Sequence, residues 1–286
     1  MKHPVVLACD ERYAMPLATT LRSITEANRS GRPLEFHVLC NGVPEKVRKK
    51  VFDSLPRGSA SIRWVEVDLG QFRRFSTIRY ISKATYARFL ISDIFPDTIS
   101  KVLYLDADVV VLDDLGPLWA TDLEQAVVGA VLNGPNSDVN DGASSLNGLP
   151  QVQEYFNAGV LLINLYQWRK ERVSEKALEY LRLNPSSPYS DQDALNIVCD
   201  GRWKKLHPRW NFMEFREKKK ISDLTGELRP GIVHFATSQK PWNASVRSLN
   251  ASFYDSFRSR TCFARTPSDK LWDMLKSGRS LIKSAL

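Results

Sequence analysis

The sequence predicts an α/β protein built on a doubly wound sheet. Three observations carry that expectation. Short apolar runs rich in β-branched residues alternate with segments of helical spacing from the start of the chain. Acidic residues fall where those runs end, and ligands of such sheets sit beyond the carboxyl ends of the strands. One run, Lys101-Val-Leu-Tyr-Leu-Asp-Ala-Asp-Val-Val-Val-Leu-Asp-Asp-Leu115, carries two carboxylates inside its apolar stretch.

Pro4 to Cys9 reads as the first strand and closes on Asp10-Glu11-Arg12-Tyr13. Met15, Leu17, Leu21 and Ile24 are spaced for a helix over 14–29, with Pro16 suited to its first turn. Leu34 to Cys40 is a second strand, stopped by Asn41-Gly42. Pro44 to Leu55 is a helix with a polar outer face, and Ile62 to Val67 a third strand. Residues 70–82, with Arg73, Arg74 and Arg79, read as a polar loop. Lys83 to Phe95 is a helix carrying Tyr86 and Arg88, where the plain expectation for Arg88 is a surface salt bridge. Ala126 to Leu132 is another strand. Residues 133–153 form a Gly/Asn/Pro-rich loop, either a lid or a mobile connection. Tyr155 to Asn164 is a strong strand, and Tyr166 to Leu183 one amphipathic helix. Asp191-Gln192-Asp193 opens a short helix, with Asp191 as its N-cap. Gly231 to Ala236 is a late strand holding His234, where a lone histidine is most often a satisfied core residue.

The 101–115 run predicts a buried strand interrupted by Asp106 and Asp108. Buried charges must be paired or bound to metal. Alternation places both carboxylates on one face, so their oxygens can converge on a hard cation, Mg²⁺ or Mn²⁺. Positions left open on that cation suit a diphosphate. The plain alternative is a strand that ends at Asp106 in a solvated acidic turn. No glycine-rich phosphate loop is present, so a bound nucleotide would depend on the metal.

The chain has 286 residues, 43% of them hydrophobic, enough for one large domain or two small ones. No apolar window is long enough for a membrane span, and the N-terminus does not read as a signal peptide. The four cysteines lie far apart, which disfavours a zinc site or disulfide framework and suits a reducing cytoplasm. The net charge of +8 is uneven: residues 202–286 hold 18 Lys and Arg against 7 Asp and Glu. That excess suggests an anionic partner. Nucleic acid is not expected, because the aromatics do not interleave with the basic residues as a stacking platform would.

Seven segments together resemble the family 8 glycosyltransferases, the retaining group that includes bacterial lipopolysaccharide galactosyl- and glucosyltransferases. They are Ala8-Cys-Asp-Glu-Arg-Tyr13, Thr85-Tyr-Ala-Arg88, Lys101 to Asp108, Tyr155-Phe-Asn-Ala-Gly-Val-Leu-Leu-Ile-Asn164, Asp191-Gln-Asp193, Asn211-Phe-Met213 and His234-Phe-Ala-Thr-Ser-Gln-Lys-Pro-Trp242. The resemblance implies a GT-A-type nucleotide-sugar transferase fold with a mixed sheet. It implies a catalytic domain over 1–250 and a basic, helical extension over 251–286. It implies Mn²⁺, or Mg²⁺, on Asp106, Asp108 and His234, which makes the lone histidine a ligand. A UDP-sugar would be held by Ala8, Asp10, Tyr13, Asp106, Ala107, Asp108 and Lys240, the last on the diphosphate. Arg88, Asn157, Asp191 and Gln192 would line the sugar as the catalytic set.

The implied reaction moves a hexose, galactose or glucose, from UDP to a glycan or lipid-linked saccharide with retention. Double displacement needs a nucleophile on the far face of the sugar. The resemblance puts the amide of Gln192 there, and an amide is a poor nucleophile. Front-face attack by the acceptor hydroxyl is therefore favoured, with the leaving phosphate taking its proton. Asp191 would hold sugar hydroxyls and stabilise positive charge. Three positions depart from the family pattern: Thr237 replaces a glycine, Asn133 an aspartate of the galactosyltransferase type, and Arg12 an asparagine. The 134–154 loop does not match. Two alternatives stand beside this reading: a metal-dependent nucleotidyltransferase, and a non-catalytic nucleotide-sugar binding protein.

The tail, residues 269–286, places Leu271, Trp272, Met274, Leu275, Leu281, Ile282 and Leu286 on one helical arc flanked by Lys270, Lys276, Arg279 and Lys283. The pattern suits an anionic membrane surface, and predicts a cytoplasmic protein peripheral to the membrane. The alternative is a helix docked on the catalytic domain.

Overall fold

The structure is a computed structural model. It describes residues 4–267 apart from 73–74, 76–81, 134–151, 188, 214–219 and 244–247. The expectations for Arg73, Arg74 and Arg79, for most of the 133–153 loop and for the 269–286 tail lie outside the described residues.

Among the described residues, seven strands form one mixed sheet in the order β3-β2-β1-β4-β7-β6-β8. These are β1 (Val5–Cys9), β2 (Leu34–Cys40), β3 (Ala60–Glu66), β4 (Lys101–Leu105), β6 (Val128–Leu132), β7 (Phe156–Asn164) and β8 (Trp203–Lys205). β1, β2 and β4 run parallel, and β7 runs antiparallel to β4 and β6. β5 (Val109–Val111), β9 (Phe212–Met213) and β10 (Ile232–His234) form a second, three-stranded sheet in the order β5-β10-β9.

Alternation along the strands fills both faces of the large sheet. Val6, Val102 and Tyr104 face one apolar layer with Phe89, Trp168 and Ala177. Leu7, Leu103 and Leu105 face the other, packed on Leu17 and Leu21 of α1 (Ala14–Ala27). Strands covered on both faces read as near-continuous apolar runs, which is why β1, β4 and β7 are legible in the sequence. α8 (Ala251–Arg258) packs on α1 below the small sheet, with Tyr254 fully buried and its hydroxyl donating to the Met15 sulfur at 3.1 Å.

Four expectations are corrected. The 101–115 run is not one strand: the chain turns at Asp106-Ala107-Asp108, and β4 and β5 enter different sheets. A turn, and not strand alternation, brings the two carboxylates together. The 83–95 helix is a 3-10 helix over Lys83–Leu90 followed by α3 (Ile91–Ile94). With three residues per turn, side chains three apart eclipse, so Ser82, Thr85 and Arg88 form one ridge. The 166–183 helix is two, α5 (Leu165–Lys170) and α6 (Val173–Leu183), broken where Arg172 adopts a φ of 54°. Asp191 is not the cap of α7 (Asp191–Val198). Ser190 occupies that position with a φ of 49°, and Asp191 begins the helix itself.

β7 is irregular where it matters. Its pairing with β6 slips, so that the step from Gly129 to Val131 faces the longer step from Leu162 to Asn157. Phe156 and Ala158 therefore share an apolar layer with Leu161 and Ile163, although their positions differ in parity. Such a bulge re-aims side chains beside functional sites, and here it turns Asn157 and Gly159 into the cleft described next.

Candidate functional site

A cleft of roughly 370 Å³ opens over the carboxyl ends of β1 and β4 and the start of β7. It collects Ala8 from β1, Asp10 and Tyr13 from the turn after it, and Ser82, Thr85 and Arg88 from the 3-10 ridge. Tyr104 comes from β4, Asp106, Ala107 and Asp108 from the β4–β5 turn, Asn133 from just after β6, and Asn157 and Gly159 from β7. Asp191 and Gln192 come from α7, and His234, Thr237 and Lys240 from the end of β10 and beyond. All of the residues expected from the sequence to bind or act thus line one cavity.

Asp10 closes the 3-10 turn Glu11–Tyr13 by accepting from the Tyr13 N–H at 3.1 Å, and its second oxygen accepts from Ser82 Oγ at 2.6 Å. Arg88 is not on the surface. It is 3% exposed, and its whole fork is engaged. It donates to the Thr85 carbonyl and hydroxyl (3.0 Å each), to Ala158 O (2.7 Å) and to Asp106 Oδ1 (2.9 Å). It also pairs with Asp191 Oδ2 at 3.1 Å. Burial works against the Arg88 charge, yet Asp191 and Asp106 override it and raise the pKa. Burial likewise pushes the Asp191 carboxyl up, against the pull of Arg88.

Each acid of the pair is held by one oxygen only. Asp106 Oδ1 accepts from Arg88 and from the Tyr104 hydroxyl at 2.8 Å. Asp108 Oδ2 accepts from Lys240 Nζ at 2.6 Å, and Lys240 also donates to Phe235 O at 2.7 Å. The remaining oxygens face His234, with Nε2 at 3.3 Å from Asp108 Oδ1 and 3.8 Å from Asp106 Oδ2. Ligand atoms of the three residues all lie within 4.8 Å of one another. Asp108 Oδ1 is buried without a hydrogen-bond partner. A buried acceptor in that state is costly unless something positive meets it, and two carboxylates with one imidazole are a donor set that could hold a divalent cation. Burial opposes ionisation of Asp108, but the Lys240 ammonium overrides it and holds its carboxyl well below the usual range.

The side-chain amides of Gln192 and Asn157 are tied to backbone. Gln192 Oε1 accepts from the Ala158 N–H at 3.0 Å and from Asn157 Nδ2 at 3.2 Å. Gln192 Nε2 points at the Tyr155 hydroxyl, 3.2 Å away, which itself donates to Asp193. Asp193 also accepts from Ser187 Oγ and the Tyr189 N–H. The second aspartate of Asp191-Gln192-Asp193 therefore braces the helix start, while the first faces Arg88.

Sequence reasoning assigned no role to Tyr104, Gly159 or Asn211. Tyr104 carried a signal, since a hydroxyl-bearing ring two residues before Asp106 faces the same way along a strand. Gly159 and Asn211 carried none beyond lying in the segments that prompted the resemblance. A Cβ on Gly159 would sit 2.2 Å from His234 Cε1 and 2.8 Å from Asp106 Oδ2.

Arg88→Lys tests the arginine fork. A lysine is a point charge that reaches one or two of these acceptors, leaving buried oxygens unpaired. We expect a loss of about 3 kcal/mol in stability, read as a lower denaturation midpoint, and a large fall in turnover. A variant that melts and turns over like the parent would show that the fork is not needed.

A sequence model described as Glycosyl transferase family 8 matches residues 4–245. General stress protein A of Bacillus subtilis is 28% identical over 270 residues, covering 90% of this chain and 93% of its own length. The lipopolysaccharide 1,3-galactosyltransferase of Salmonella typhimurium is 26% identical, covering 85% of this chain and 74% of its own. The crystal structure of the galactosyltransferase LgtC, in complex with donor and acceptor sugar analogs, is similar with a TM-score of 0.79 at 30% identity. The match covers 94% of this chain and 99% of that one.

Proposed function

The chain belongs to glycosyl transferase family 8 with the GT-A-type fold, and we propose that it moves galactose or glucose from UDP to a saccharide acceptor with retention and with Mn²⁺. The observation that carries this reading is the trio of facing acceptors on Asp106, Asp108 and His234, with the Lys240 ammonium beside them. They share one cleft with Asp10 and with the Asn157–Gln192 amide pair.

In this reading Asp106, Asp108 and His234 hold the cation, which when bound offsets the charge developing on the leaving diphosphate. Lys240 adds a fixed positive charge at the same end. Ala8, Asp10 and Tyr13 hold the uracil and ribose, and Ala107 passes under the diphosphate. Arg88 pairs with both Asp106 and Asp191 and aims them. Asp191 meets sugar hydroxyls and favours the oxocarbenium-like sugar. Gln192 and Asn157 orient the sugar face. Gln192 cannot serve as a strong nucleophile, because its oxygen already accepts two hydrogen bonds. The acceptor hydroxyl attacks from the front face, and its proton passes to the departing phosphate.

Purified full-length chain offered UDP-galactose, UDP-glucose and UDP-N-acetylglucosamine with Mn²⁺ should release UDP from the first two. Asn133 lies 3.4 Å from Asn157, and lacks the charge of the aspartate in the galactosyltransferase type, so discrimination between those two should be weak. Strong preference for the N-acetylated donor in competition would overturn the hexose reading. The second reading is a non-catalytic UDP-sugar binder, favoured by Thr237, whose hydroxyl engages Gln239 in its own loop. Tight Mn²⁺-dependent binding of all donors without turnover would select it.

The acceptor in this proposal is a glycan or lipid-linked saccharide, and the protein works at the cytoplasmic face of a membrane. Residues 1–250 are the catalytic unit. Residues 251–286 are the extension, whose α8 lies on α1. Among the described residues no helix is long and apolar enough to cross a membrane. Contact with an anionic surface falls to residues 269–286, each basic side chain contributing on the order of 1 kcal/mol. Full-length chain should sediment with anionic vesicles at low salt, and a chain ending at Thr266 should not. Equal recovery of both in the supernatant would make the tail a packing element.

A further inference from the structure

We propose that Asn211 is a positioning residue that sets the tautomer of His234 and, through the same amide, the alignment of Asn157 against the sugar. The inference rests on the metal reading above and assigns a role to a side chain outside the ligand set.

The chain of hydrogen bonds begins at a backbone N–H, which can only donate. Gly159 N–H donates to Asn157 Oδ1 at 3.0 Å. That oxygen is then the acceptor for Asn211, whose Nδ2 donates to it at 2.8 Å. Asn211 must therefore present its Oδ1 on the other side, where His234 Nδ1 lies 2.9 Å away. An amide oxygen can only accept, so Nδ1 carries the proton. The Nε2 lone pair is then directed at the space shared with Asp106 and Asp108. Flipping Asn211 would set two oxygens against each other at Asn157 and an N–H against Nδ1. Nε2 would then carry the proton and block a cation. Asn211 is 1% exposed, so water does not offer an easy substitute. Outer partners of this kind hold a ligating histidine in one tautomer and orientation.

The other half of the amide faces the chemistry. With Oδ1 of Asn157 held by Gly159 and Asn211, its Nδ2 is directed at Gln192 Oε1. One side chain thus joins the cation end of the cleft to its sugar end. The two halves separate by substitution. Asn211→Asp keeps an acceptor for Nδ1–H but replaces the donor to Asn157 with a second oxygen. Asn211→Leu removes both.

The test measures two quantities on full-length protein: Mn²⁺ affinity, from the free-ion signal in electron paramagnetic resonance without sugar, and kcat and KM for UDP release. Asn211→Leu should bind Mn²⁺ roughly 10–100-fold more weakly and lose turnover. Asn211→Asp should bind Mn²⁺ within about threefold of the parent while kcat falls at least tenfold and KM changes little. A Leu variant with parental Mn²⁺ affinity overturns the proposal, and so does an Asp variant that loses the metal as fully as the Leu variant. Parent protein that takes up no Mn²⁺, and is indistinguishable from Asp108→Asn, overturns the metal reading itself and this proposal with it.

Discussion

On the proposed metal reading, Asp108→Asn is expected to lose Mn²⁺-dependent UDP binding. Changes to the partners of a metal ligand cost roughly 10–100-fold in affinity, and removal of a ligand's own charge should exceed the upper end of that range. The structure adds a second consequence that the sequence did not suggest. Asp108 is also the counter-charge of Lys240, 2.6 Å away and 6% exposed. Asparagine can still accept a hydrogen bond but leaves the ammonium without its paired carboxylate, beside neutral acceptors such as the Phe235 carbonyl. Breaking a buried pair from one side should cost on the order of 3 kcal/mol. The variant should therefore fold, melt earlier and bind UDP no better with Mn²⁺ than without it. Calorimetry with unchanged UDP affinity in Mn²⁺ would rule out Asp108 as a ligand.

Gly159→Ala should be as damaging to the site without removing a single polar atom from it. The added methyl would meet the His234 ring at 2.2 Å and Asp106 at 2.8 Å. Neither strand can yield easily. Gly159 O accepts the Asp106 N–H at 2.8 Å, and its own N–H is held by Asn157. The imidazole must swing away, so Mn²⁺ affinity should fall by at least about 100-fold, beyond what loss of an outer partner costs. Overpacking should also lower stability by about 1–3 kcal/mol. Mn²⁺ titration and a thermal melt read the two effects separately. Parental Mn²⁺ affinity in this variant would mean that the ring position observed here is not the one that binds metal.

Much of the layout follows from local chemistry, and the sequence determined it alone. β1, β4 and β7 are legible because each is covered on both faces and so reads as a near-continuous apolar run. The acidic pair stood out because carboxylates inside such a run need a partner. His234 did not stand out by pattern, since one imidazole in a short apolar strand has the same local look whether it packs or ligates. Only its place in the segments resembling a known family singled it out.

Tertiary structure decided the rest. The turn at Asp106–Asp108 sends β4 and β5 into different sheets, a choice set by strand partners more than 100 residues away in β10. The 3-10 pitch of Lys83–Leu90 aims Ser82, Thr85 and Arg88 together, and no spacing rule distinguishes it from an α-helix. Arg88 looked like a surface cation because burial of an arginine is set by what converges on it, here Asp106 and Asp191. The roles of Gly159 and Asn211 belong wholly to this level. One is defined by the ring that occupies its missing side chain, the other by one acceptor and one donor on distant strands. Local sequence specifies which elements form and which groups are expensive to bury. The pairing of those groups depends on contacts between elements far apart in the chain, and that decides what they can bind.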